Sequence, residues 1–222
     1  MRDAFHQDLD KLGDLLVEMT RLASSAMNRA TTALLDADLA LAEGVISADQ
    51  QIDDLRRELD ELAVELLARQ QPVATDLRIV VTALHMGTSL ERMGDLAEHV
   101  AKVARLRYPQ SAVPAEARAT IVAMGNIAEQ LVAQAGSIIA AQDVEAAKNL
   151  GGEDDEMDAL HRRVFTMLAS EDWQHPTDVS VDITLLSRYY ERFADHAVAV
   201  ARQVVFLVTG EWTSLRDGDV NA

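Results

Sequence analysis

Leu90-Glu-Arg-Met-Gly-Asp95 and, 100 positions later, Tyr190-Glu-Arg-Phe-Ala-Asp195 are two versions of one helical segment. The match extends outward in both directions. Ala83, Met86, Leu90, Met93, Ala97, Val100 and Ala104 recur as Ile183, Leu186, Tyr190, Phe193, Ala197, Val200 and Val204, and the second run continues to Leu207. Steps of three and four place each set on one face of a helix. A shared helix period would align apolar stripes by itself. It would not also align Glu91 with Glu191, Arg92 with Arg192 and Asp95 with Asp195. A second match, offset by 105, pairs Asp49-Gln-Gln-Ile-Asp53-Asp-Leu55 with Asp154-Asp-Glu-Met-Asp158-Ala-Leu160. Two tandem copies of one helical unit account for both offsets.

The remaining stripes give each copy three helices. Phe5, Leu9, Leu12, Leu16 and Met19 form the first, and Ile52, Leu55, Leu59, Leu62 and Leu66 the second. Ile121, Met124, Ala128, Leu131, Ala135 and Ile138 form the fourth, and Met157, Leu160, Val164 and Met167 the fifth. Gln71-Pro72, Tyr108-Pro109, Pro114 and His175-Pro176 interrupt the pattern. Thr75 is the expected N-cap of the third helix, and Thr177 or Asp178 that of the sixth. The expected fold is all-α: two tandem pseudo-symmetric three-helix bundles of six long helices. The expected units are residues 1–110 and 111–210, followed by a frayed tail at 211–222.

Composition narrows the function. Apolar residues are 49% of the 222 and aromatic residues only 4%, so the core is aliphatic, which suits helices. No cysteine is present, which excludes disulfides, thiolate metal sites and cysteine nucleophiles. No apolar run is long enough to span a bilayer. The first residues, Met1-Arg-Asp-Ala-Phe-His-Gln-Asp8, are too polar for a secretion signal, so a cytoplasmic location is expected. The net charge of −17 argues against nucleic acid or an anionic membrane as partner.

Acidic residues supply the candidate site. Asp49/Asp53, Glu91/Asp95, Asp154/Asp158 and Glu191/Asp195 each stand four apart, one turn along a helix face. Such pairs repel by roughly 0.2–0.5 kcal/mol. A bound cation converts the repulsion to attraction, and oxygen-only ligands suit Mg²⁺, Mn²⁺ or iron. Random placement of 37 acids gives roughly six such pairs, so any one of them reads equally as a solvated face. Position raises the set above that background. Folding the chain back at Pro72 brings residue 53 level with about residue 93, and a turn near 174 brings Asp158 level with about 190. Each half then gathers one acidic cluster from two neighbouring helices, on its outer surface.

His99 and His196 fall near these clusters without being equivalent in the repeat. Asp158-Ala-Leu-His161 is a single acid-x-x-His step, whereas a ferritin-like di-iron centre needs two. Arg92 and Arg192 read as intrahelical partners of their acidic neighbours or as forks for an anion. No Gly-rich phosphate loop and no nucleophile–base constellation appears, so an enzyme is not expected.

The segments Gln71-Pro-Val-Ala-Thr-Asp-Leu-Arg78 with Ser89-Leu-Glu-Arg-Met-Gly-Asp-Leu-Ala97, and Tyr190-Glu-Arg-Phe-Ala-Asp-His-Ala197, resemble the two signatures of the PhoU family, in order and at the family's spacing. The resemblance covers roughly residues 3 to 210. It implies a non-enzymatic negative regulator of the phosphate-starvation response, connecting a high-affinity phosphate ABC transporter, through its ATPase, to a sensor histidine kinase. It also implies a homodimer, brought to the inner face of the membrane by its partners and not inserted in it. Some members hold multinuclear metal clusters through a (Glu/Asp)-x-x-x-Asp motif. That motif falls on Glu91/Asp95 and Glu191/Asp195, with Asp49/Asp53 and Asp154/Asp158 as its partner-helix counterpart. The metal is left open among iron, Mn, Mg and Zn. Four positions depart from the pattern: Ser89 replaces a common Asp, Ala194 stands opposite Gly94, and His99 and Ala199 stand where Asn is common. A carboxylate-type metal-storage protein is the rival reading.

Overall fold

The turn that closes the first arm is set by local chemistry that recurs in the two halves. In the computed structural model, which describes the backbone of residues 2–211 and the side chains of 5–151 and 155–211, the described chain is helical without a strand. Its helices are α1 (Arg2–Asp36), α2 (Leu39–Ala48), α3 (Gln50–Gln70), α4 (Ala74–Arg107), α5 (Ala115–Ala141), α6 (Val144–Leu168) and α7 (Thr177–Thr209). Ala37 and Gln142, both left-handed, end α1 and α5. Asp38 and Asp143 follow them and cap the next helix, accepting from the Leu41 and Ala146 amides. The offset of 105 that relates α3 to α6 thus holds for this turn as well. One residue, Asp49, separates α2 from α3 and is itself right-handed, so the two helices form a single arm opposite the continuous α6. Six arms in two halves result, as the repeat implies.

The predicted caps of α4 and α7 do not form. α4 begins one residue before Thr75, whose hydroxyl faces Arg78 instead. Pro176 precedes the first residue of α7, Thr177, and Asp178 is drawn away by the Arg107 guanidinium at 2.6 Å. A charge-assisted bond to another helix outcompetes a local cap. The expected frayed tail falls at residues 211–222, of which 212–222 lie outside the described residues.

Four helices form a square in which α1 packs on α4, α4 on α7, α7 on α5, and α5 on α1. The α2–α3 arm covers α1 and α4, while α6 covers α5 and α7. The predicted stripes of the first, third, fourth and sixth helices are buried throughout. Leu55, Leu62, Leu160 and Met167, on the outer arms, are only partly covered. An outer arm has neighbours on one side only, so its stripe is narrower.

The halves are joined through α1–α5 and α4–α7. Glycines let α1 and α5 approach closely. A Cβ on Gly125 would lie 2.7 Å from Thr31 Cγ2, and one on Gly136 would lie 2.6 Å from Thr20 Oγ1. The fully buried Tyr190 shares a 2.8 Å hydrogen bond with Thr31, tying α7 to α1. At the far end Arg107 of α4 reaches Asp178 and the buried Asp182 of α7. No described helix is long and apolar enough to cross a membrane. Because the Thr20 side chain is β-branched and cannot swing away, Gly136→Val is expected to cost about 1–3 kcal/mol by overpacking. The expected reading is a melting temperature lower by several degrees than wild type in calorimetry. An unchanged value would mean that α1 and α5 part without cost.

Candidate metal centre

Asp49 stands where α2 passes into α3, and α4 opposite it carries Gly94. The absence of a side chain at 94 admits the carboxylate, since a Cβ there would meet Asp49 Oδ1 at 2.8 Å and Ile52 Cδ1 at 2.9 Å. One turn on, Asp53 faces α4 as well. The two-helix cluster of the first half therefore assembles from Asp49, Asp53, Glu91 and Asp95. Each of Asp53 and Asp95 acts electrostatically on both Asp49 and Glu91. Glu98, one turn beyond Asp95, joins them and repels Asp49.

These acids are not freely solvated. The side chains of Glu91 and Asp95 are 24% and 30% exposed, and that of Glu191 only 11%. They lie in the crease between two helices, more sheltered than an outer surface. Burial first, and then Glu98, Asp53 and Asp95, push the Asp49 carboxyl up to about 6 from its ordinary 3.8. Burial and Asp95 likewise raise Glu91. Burial first, then Asp195 and to a smaller extent Asp158, raise Glu191.

In the second half the structure brings Asp158, Glu191 and Asp195 together. Glu191 accepts from Arg188 through Oε1, while its Oε2 is buried with no hydrogen-bond partner. The Asp154 side chain lies outside the described residues.

Cations fill the crease differently in the two halves, which the acidic spacing alone did not reveal. In the first half Arg56 lies across Gly87, reaches Asp60 and donates to Thr88 Oγ1 at 2.9 Å, with its charge beside Glu91. The equivalent position in the second half, by the offset of 105, is His161. Its Nδ1 lies 3.1 Å from Ser187 Oγ, and its charge environment includes Asp158. There the nearby cations are Arg188, contributed by α7 and bound to Glu191, and Arg162 of α6, 3.9 Å from Asp158. The signal for Arg56 and His161 was present in the sequence: each stands three residues after a cluster acid, on the same helix face.

Other candidates fall elsewhere. Arg92 is the intrahelical partner of Asp95, at 2.7 Å. His99 bonds the Asp95 carbonyl of its own helix and stacks obliquely on Tyr189, in the seam between α4 and α7. His196 is half-buried, and burial first, then the charges of Arg192 and Arg92, hold it below the ordinary imidazole range. His196 also feels the charge of Asp195, but neither ring forms an ion pair with a cluster carboxylate among the described residues.

No three carboxylate or imidazole groups among the described residues already surround a common point as metal ligands would. The donor set nevertheless fits a hard cation. It is all oxygen in the first half, it is self-repelling in both, and in the second half it offers an unpartnered buried carboxylate oxygen. Divalent or trivalent charge placed there would satisfy that oxygen after rotation of Arg188.

Comparison with known proteins bears on this geometry. The PhoU domain model matches the chain twice, at residues 16–104 and 121–204, one match in each half of the bundle. The chain belongs to the PhoU family. It is 50% identical over 210 residues to the phosphate-specific transport system accessory protein PhoU homolog 2 of Mycobacterium tuberculosis H37Rv, covering 95% of this chain and 99% of that one. It is 43% identical to homolog 1 of the same strain, over 95% of each. The crystal structure of PhoU from Pseudomonas aeruginosa superposes with a TM-score of 0.82 at 30% identity, covering 93% of this chain and all of that one.

The raised Asp49 fixes a sign for pH. Its folded value lies above its unfolded one, so folding takes up a proton between about pH 4 and 6, and the folded state gains stability as pH falls through that window. In metal-free protein, Asp49→Asn is expected to raise stability at pH 7.5. It should also flatten the rise seen on acidification. Denaturant melts at pH 4.5, 6 and 7.5 measure this. Parallel curves for the variant and wild type would show that Asp49 is ordinarily solvated.

Proposed function

We propose that this protein is a non-enzymatic negative regulator of the phosphate-starvation response. In this reading it is an adaptor between a phosphate ABC transporter, through its ATPase, and a sensor histidine kinase, and it works at the inner face of the membrane as a homodimer. The observation that carries the reading is end-to-end similarity, at half of all positions, to a protein named as an accessory of phosphate-specific transport. The molecule suits such a role. Its long helices leave outer faces that partner helices can read, and its two halves are joined by buried contacts into one body.

The acidic clusters belong to this reading as cation sites, with iron, Mn, Mg or Zn as candidates. A bound cation would supply positive charge between the helices and open coordination positions for a partner's carboxylate or for phosphate. The two sites are unequal in this chain. Arg56 is packed under α4 and only 20% exposed, so its charge stays beside the first cluster. Arg188 is 52% exposed and free to leave the second. The second reading, a metal-storage protein, draws on the unpartnered Glu191 oxygen.

Two experiments test these proposals. A strain lacking this protein should express phosphate-uptake genes even in high phosphate. Since Mycobacterium tuberculosis carries two such relatives, any second copy must be deleted with it. Persistent repression in that strain would sink the regulatory reading and move metal storage ahead. Separately, protein loaded with Mn²⁺ and desalted should lose more metal through Glu191→Gln with Asp195→Asn than through Glu91→Gln with Asp95→Asn, measured by mass spectrometry. Equal losses would make the two sites alike, and a wild-type chain that binds none would remove metal from the account.

A further inference from the structure

Gly87, Gly94, Gly125 and Gly136 each face a packed neighbour where a Cβ would stand, so packing within this chain explains why they lack one, and Gly44 faces the movable end of Arg29. Gly13 faces open space. It lies inside the 35-residue α1, where glycine weakens a helix relative to alanine. Nothing in its own fold requires that weakness.

What Gly13 faces is a groove of about 500 Å³ at the end of the square where α4 begins and α5 and α7 end. Leu9, Leu16, Ile79, Met86, Ile139 and Leu207 supply its apolar lining. Its rim on α1 is acidic, with Asp10, Asp14 and Glu18 at successive turns, and no lysine or arginine lines it. Glu18 is taken by Arg21, but Asp10 and Asp14 have no ion-pair partner among the described residues. On the same end Leu77 and Val208 remain exposed.

We propose that this groove seats a basic amphipathic helix of a partner protein, its aliphatic side chains entering over Gly13 and its Lys or Arg side chains meeting Asp10 and Asp14. The inference rests on the adaptor reading and names the surface that reading would use. Charge selects the occupant. A second copy of this chain, with its net −17, would bring like charge to this acidic rim, so the proposed homodimer joins through another face. An anionic bilayer would be repelled in the same way. A helix with cations four apart matches the carboxylate spacing, and an approach this close to α1 needs a residue without a side chain at 13.

The test uses a fluorescent 18-residue Leu/Lys peptide patterned as an amphipathic helix, a scrambled peptide of the same composition and a Leu/Glu counterpart, with binding read by anisotropy. The full chain should bind the Leu/Lys helix at least tenfold more tightly than the scramble, and the Leu/Glu peptide not at all. Gly13→Met should lower affinity at least tenfold while melting no lower than wild type, because its side chain enters open space. Asp10→Asn with Asp14→Asn should weaken binding and reduce its salt dependence. Equal binding by Gly13→Met, or by the scrambled peptide, would overturn the proposal. So would binding that appears only after removal of residues 212–222, since the chain's own tail would then be the occupant. If kinase or transporter fragments are captured equally by wild type and Gly13→Met, the adaptor reading stands and the groove is wrong.

Discussion

The close approach of α1 and α5 sets the geometry of everything else. Each three-helix unit carries more apolar surface than its own helices can cover, and the two units bury the excess against each other. Gly125 and Gly136 let the backbones of α1 and α5 come together around Thr31 and Thr20. The Tyr190 hydroxyl, fully removed from water, finds its partner in Thr31 from the other half. An unsatisfied hydroxyl in that position would cost on the order of 1–3 kcal/mol, so the bond specifies one way of joining the halves. On the opposite side, Arg107 with Asp178 and Asp182 pins α4 to α7.

This joining leaves the outer arms lying on one side of the square, and their creases become the acidic clusters. Carboxylates held between two helices are partly desolvated and still repel one another. The raised Asp49, Glu91 and Glu191 are the consequence. Such a crease is costly to the bare protein and favourable to a cation, which links the fold's electrostatics to the proposed ligand.

The internal repeat is close in the turn after its first arm and inexact in its chemistry. The left-handed closing residue and the aspartate cap recur at 37–38 and 142–143, because both turns solve the same backbone problem. The residues beside the clusters are under no such constraint. Arg56 faces His161, Gly94 faces Ala194 and Glu98 faces Val198 across the repeat, so two sites of common origin present different charge to a ligand.

The sequence by itself determined the class of fold, the two halves and the residues of the core stripes. Periodicity of apolar residues is a local property, and the tandem match of charged residues reinforced it. It also determined which acids stand four apart, and the PhoU signatures. It did not determine that α7 lacks its expected cap, because Arg107 competes for Asp178 from 71 residues away. Nor did it place His99 and His196 in the α4–α7 seam, or Arg56 and Arg188 beside the carboxylates. Which cation neutralises which acid depends on how far helices rotate and approach. That is decided by glycines, threonines and one tyrosine whose partners lie in the other half of the chain.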